Sequence, residues 1–194
     1  MLIGMSTHEA MHAFASHWLG DTTAHEQGRL TLNPLKHIDL FTTILLPVVL
    51  IIAGFPPIFA AKPVPFNPDR VKYDEFGVAI LAVAGPLTNL ALACIGALIF
   101  RLVPIGSNTV SDGVVIFTLI NVSLFVFNMI PFPPLDGSRV LYAFAPEPLQ
   151  KVMQAIESFG IGAILIFIFF LYQFVGPAIL NINENILRFL LGVG

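Results

Sequence analysis

Asp, Glu, Lys and Arg are missing from four long stretches of the chain: 40–61, 76–100, 113–135 and 158–183. A helix needs roughly 20 apolar residues to cross about 30 Å of hydrocarbon, so each stretch is long enough to span a bilayer. Before them, residues 1–20 read as a helix ended by Gly20, unusually polar for a span because it holds His8, Glu9, His12 and His17. Residues 21–39 read as a turn-rich loop. The 40–61 run is interrupted by Pro47, Gly54, Pro56 and Pro57, which predicts a kinked or re-entrant segment sheltered by protein. The prolines of 62–75 predict an extended loop.

The span 76–102 should kink at Gly85-Pro86, and a short loop over 103–112 should lead to a span that begins near Gly113 and stops at Pro131, Pro133 and Pro134. Residues 138–153 are amphiphilic and interfacial in character. A last span is expected over 155–176, followed by a tail, 177–194, whose helix lies on the membrane surface. The pattern predicts an all-α polytopic membrane protein: a bundle of about five transmembrane or re-entrant helices with a short Pro-rich extended loop. It forms one membrane-embedded domain over 1–194.

Composition agrees. Apolar residues make up 56% of the 194 positions and charged residues 11%, against about 25% charged in a soluble domain. A water-facing surface cannot be covered at that density. The net charge of −3 argues against a nucleic-acid partner, which calls for a basic stripe. Cys94 is the single cysteine and sits in an apolar run, so a thiolate cluster is excluded and a buried structural thiol is expected. The N-terminus lacks the basic region and cleavage site of a signal peptide. Lys and Arg are nearly balanced between alternate loops, which leaves orientation open.

The chemistry concentrates at His8-Glu9-Ala10-Met11-His12, an H-E-x-x-H pattern. On a helix, positions i and i+4 differ by about 40° of rotation, so both imidazoles project from one face toward one point. That suits two nitrogen ligands of a zinc ion, with Glu9 beside them to hold and deprotonate water. Ionisable groups inside a span are costly and mark a functional site by default. A catalytic zinc takes a third protein ligand. Asp136 is the candidate, because it directly follows the uncharged run 113–135 in a Pro-rich break. The alternative is an ordinary Asp136-Gly137 turn. His17 faces away from His12, and His25 and His37 are expected to be solvated in their loop. Asn128 is expected to hydrogen-bond near the Asp136 turn, and Phe167–Phe170 to face lipid.

Three motifs in order, His8 to His12, Ala84-Gly85-Pro86-Leu87-Thr88-Asn89, and Asn128 through Leu135-Asp136-Gly137, resemble the site-2 protease family of intramembrane zinc metalloproteases. Gly28 to Pro34 and Lys62-Pro63-Val64-Pro65 resemble its short bacterial and archaeal branch, without a PDZ domain. The resemblance covers nearly the whole chain. It implies one Zn2+ per chain held by His8, His12 and Asp136, with Glu9 as catalytic base. It further implies Asn89 as a residue that contacts substrate or helps stabilise the oxyanion.

The implied activity is hydrolysis of peptide bonds within or near transmembrane segments of membrane-protein substrates. Their transmembrane helix and the lipid bilayer would be the partners, in a multi-pass protein of the prokaryotic plasma membrane. The Pro-rich loop 62–68 would either offer an edge to an extended substrate segment or be an ordinary membrane-surface loop. Only seven residues precede His8, so His8 is expected near one end of the first helix; a wrongly assigned start, a fragment and a helix truncated at its N-terminus are the alternatives. Two other functions compete: an inactive relative that binds membrane proteins, and a metal-transporting membrane protein. Polar residues are too sparse in 114–127 and 161–171 to suit the second.

Overall fold

In the computed structural model, residues 1–52, 61–102 and 109–192 are described. The Gly54, Pro56 and Pro57 break and the start of the 103–112 loop fall outside them. Nine α-helices are formed among the described residues: α1 (Leu2–Trp18), α2 (Thr23–Glu26), α3 (Leu46–Ile52), α4 (Asp74–Leu102), α5 (Thr109–Asn128), α6 (Asp136–Phe144), α7 (Glu147–Glu157), α8 (Ile161–Ile166) and α9 (Tyr172–Leu191). Wider π-type turns precede α3 at Leu40–Leu45 and join α8 to α9 at Phe167–Leu171. Three helical runs are long and apolar enough to cross a membrane: Asp74–Leu102, Thr109–Asn128 and Gly162–Leu191. The all-helical membrane architecture is as expected.

The bundle is organised on α4, which packs against α1, α5, α6 and α9. Its first turn carries Asp74 and Glu75, where carboxylates meet the positive end of the helix dipole. At 1.5 Å per residue its 29 residues reach about 43 Å, more than the hydrocarbon thickness. Small residues set the α4–α5 approach: Ala93 and Ala97 are buried, and a Cβ on Gly96 would lie 2.5 Å from Thr118 Oγ1. Such residues let membrane helices draw together where lipid provides no hydrophobic driving force between them. The helix continues through Pro86, which has no N–H to give the carbonyl four residues back.

Several boundaries differ from expectation. The fifth helix begins at Thr109, so part of the expected 103–112 loop is helical. The C-terminal segment is no separate surface helix, because the last run stays helical from Gly162 through Pro177 to Leu191. The reason is packing: Ile179, Ile186, Leu187 and Leu190 lie against Ala93, Val122 and Val126. Asn183 Nδ2 also donates to Ser123 Oγ at 2.8 Å. Cys94 is exposed on the outer side of α4 rather than buried. Phe167 is buried and stacks near Phe127 and Phe132, while Phe170 faces outward, so the Phe-rich turn is only partly lipid-facing.

The first helix ends as Gly20 reverses the chain at φ 105°, and Lys72 N–H returns to the Leu19 carbonyl at 2.9 Å. Between these points residues 61–67 run extended. This strap is tied at three places. Lys62 N–H donates to His37 O at 2.9 Å, Val64 N–H to Glu9 Oε2 at 3.0 Å, and Asn67 N–H to Asp21 Oδ2 at 2.9 Å. His37 is therefore not a solvated loop residue: it is 1% exposed, its ring bonded to Thr31 O.

Candidate metal centre

His8 and His12 project from α1 onto α4, and Asp136 opens α6 beside them. Their Nε2 atoms are 3.0 Å apart. Asp136 Oδ2 lies 3.1 Å from His8 Nε2 and 3.3 Å from His12 Nε2. Residues 128 positions apart in sequence thus form a triangle with sides of 3.0 to 3.3 Å. Ligands bound at 2.0–2.1 Å around a tetrahedral zinc are about 3.3 Å from one another, so the triangle has the right size.

Hydrogen placement makes the case chemically. His8 Nδ1 faces Asn89 Oδ1 at 2.7 Å, and His12 Nδ1 faces Leu81 O at 2.9 Å. Both partners are acceptors, so each imidazole carries its proton on Nδ1 and turns a bare Nε2 inward. Asp136 Oδ2 is buried and has no hydrogen-bond partner among the described residues. With Nδ1 as the donor of each ring, two Nε2 lone pairs and a carboxylate oxygen converge, an arrangement that suits a bound cation.

Two glycines make room. A Cβ on Gly85 would lie 2.4 Å from His12 Nε2 and 2.7 Å from His8 Nε2, inside the space the three ligating atoms share. A Cβ on Gly137 would lie 2.3 Å from Met129 O, so only glycine there lets α6 carry Asp136 up against the end of α5.

Glu9 follows His8 on α1 and is half-buried, with Oε2 held by the Val64 N–H. Asn89 is fully buried behind His8, and its Nδ2 donates to Gly4 O and Asn121 Oδ1, both at 3.0 Å. A side chain so placed addresses His8. His17 is remote from the triangle and stacks on His25. Asn128 bonds back to Leu124 O within its own helix, away from the Asp136 turn. Gly85, Gly4, Asn121 and the Val64 N–H are the parts that reading the sequence missed. An Asn in the middle of an apolar span was the one available signal.

Comparison with known proteins accords with this geometry. The sequence profile of peptidase family M50 matches residues 104–171. The chain is 36% identical over 185 residues to "Putative zinc metalloprotease YwhC" of Bacillus subtilis, covering 91% of this chain and 78% of that one. The chain belongs to peptidase family M50. This is the site-2 protease family of zinc metalloproteases, as the three motifs implied. The chain is also 29% identical over 163 residues to "Putative zinc metalloprotease Rip2" of Mycolicibacterium smegmatis, covering 82% of this chain and 61% of that one. "Putative zinc metalloprotease MJ0611" of Methanocaldococcus jannaschii is 44% identical over 61 residues, 31% of each chain. No solved structure matches the chain.

Proposed function

We propose that this M50 metalloprotease is an intramembrane endopeptidase of the prokaryotic plasma membrane, cutting peptide bonds within or near transmembrane segments of membrane-protein substrates. His8 Nε2, His12 Nε2 and Asp136 Oδ2 hold one zinc per chain. The observation that carries the reading is the 3.0 to 3.3 Å triangle of these three atoms, built into a bundle with three helices able to span a bilayer. When bound, zinc supplies Lewis acidity toward water and the scissile carbonyl.

The remaining work falls to the chain. Glu9 receives a proton from the attacking water and passes it to the leaving amine. The Val64 N–H holds Glu9 Oε2, which fixes the orientation of Oε1 for that transfer. Leu81 O and Asn89 Oδ1 hold the two imidazoles. The test pairs two variants in detergent or vesicles with a reporter carrying one transmembrane helix. Asp136→Ala should lose zinc and activity together. Glu9→Gln should keep about one zinc per chain and lose roughly 10²–10⁴-fold in rate. Cleavage by Glu9→Gln at the wild-type rate would overturn the assignment.

A further inference from the structure

We propose that Asn121, on α5, is a positioning residue for the metal centre, acting through Asn89 to fix the tautomer and orientation of His8. The inference rests on His8 being a metal ligand, as read above. Its evidence is a directional chain of hydrogen bonds through the bundle. Asn121 is 1% exposed, and its Nδ2 donates to Phe117 O at 2.8 Å, one turn back on its own helix. A backbone carbonyl only accepts, so this bond settles which way the Asn121 amide points and turns Oδ1 toward α4.

That oxygen accepts Asn89 Nδ2 at 3.0 Å. The second proton of Asn89 Nδ2 goes to Gly4 O on α1 at 3.0 Å. With both donor positions engaged, Asn89 can present only Oδ1 to His8, at 2.7 Å. An acceptor there requires the His8 proton on Nδ1 and leaves Nε2 bare toward His12 and Asp136. Reversing either amide would set carbonyl against carbonyl, at Phe117 for Asn121 or at Gly4 for Asn89, so the polarity passes intact from α5 to the metal ligand.

Space has been cleared for it. A Cβ on Gly4 would lie 2.8 Å from Asn121 Oδ1, so glycine at position 4 lets α1 and Asn121 close around Asn89. Thr118 is a built-in comparison. It is as deeply buried and lies one turn earlier on α5, but its hydroxyl bonds only to Val114 O and has no link to His8.

The experiment uses the full chain in detergent. Zinc affinity is measured by chelator competition for wild type, Asn121→Leu, Gly4→Ala and Thr118→Val, beside unfolding midpoints. The His8 tautomer is read from ring nitrogen–proton correlations in the metal-free wild type. The expected result is an Nδ1-protonated His8, a zinc Kd raised about 10–100-fold in Asn121→Leu and in Gly4→Ala, and less than about a twofold change in Thr118→Val.

Leucine keeps the branching of the Asn121 side chain, and alanine favours the helix at position 4, so one of the two variants should remain folded if the other does not. The inference falls if metal-free His8 carries its proton on Nε2. It falls too if the folded variants bind zinc like wild type, or if Thr118→Val weakens binding as much as Asn121→Leu. A wild type that takes up no zinc while showing the Nδ1 tautomer would sink the metal-ligand reading and leave the relay standing.

Discussion

Replacing Gly85 by alanine should separate the metal centre from the fold. The added Cβ would sit 2.4 Å from His12 Nε2 and 2.7 Å from His8 Nε2, where ordinary contact begins at 3.4 Å. The His12 ring must therefore retreat by about 1.0 Å and the His8 ring by about 0.7 Å. Zinc–nitrogen bonds tolerate only about 0.2 Å. Both ligands leave range, and the loss of affinity should exceed the roughly 10–100-fold seen when outer groups alone are changed.

Stability should move little in that variant. Alanine improves on glycine in a helix by about 0.8–1.0 kcal/mol. Pulling His12 off Leu81 O forfeits a hydrogen bond of about 1 kcal/mol. The metal-free variant should then unfold within about 1 kcal/mol of the metal-free wild type. Metal analysis and chelator competition read the first effect, and denaturant titration in detergent reads the second. A folded Gly85→Ala protein that holds one zinc per chain at wild-type affinity would refute the placement of the site against α4.

Further changes test its surroundings. Val64→Pro removes the one N–H that holds Glu9 Oε2 while suiting the extended strap between Pro63 and Pro65. A hydrogen bond to a charged group contributes about 1.5–3 kcal/mol, so kcat should fall about tenfold or more, with zinc content unchanged. Asp21 anchors the strap from outside the spans. Burial alone would raise its pKa, but hydrogen bonds from the Thr23 side chain, the Asn67 and Thr23 N–H groups and Ser16 outweigh it and hold the carboxyl below its ordinary value. A depressed folded pKa means that the stabilisation is complete above the unfolded value, near 3.9, and is lost as pH falls through the folded one. Asp21→Asn should therefore lower amide protection at Asn67 at pH 7 and abolish the acid-dependent part of that loss. Gly96→Val would drive a side chain into Thr118; a measured destabilisation of about 1–3 kcal/mol is expected, and none would contradict the α4–α5 contact.

Much of the centre was legible because its signals are local. The His8 and His12 spacing fixes a shared face whatever surrounds the helix. The charge-free run before Asp136 marks a carboxylate that the chain must bring to membrane depth. What escaped has meaning only through space. Gly85 reads as half of a Gly-Pro kink until the imidazoles of α1 are seen against it. His37 reads as a loop residue because nothing in 21–39 announces that Lys62 returns to cover it. The tail reads as a surface helix because its apolar positions could equally meet lipid, and only Val122, Val126 and Ala93 decide otherwise.

The same distinction explains why the site needs so many elements. Each ligating atom is aimed by its packing partners: His12 by Leu81 O on α4, His8 by Asn89 of the same helix and through it α5, and Asp136 by the seating of α6 against the Met129 carbonyl. At each crossing a glycine stands where any side chain would hold the helices apart: Gly4 at Asn121, Gly85 at the imidazoles, Gly137 at Met129. Gly85 lies in mid-helix, where glycine costs about 0.5–1 kcal/mol relative to alanine. That cost makes sense if close approach of the ligands is what it secures. Substitutions at these glycines should accordingly weaken metal binding more than they weaken the fold, the reverse of what buried Val122 or Leu81 should do.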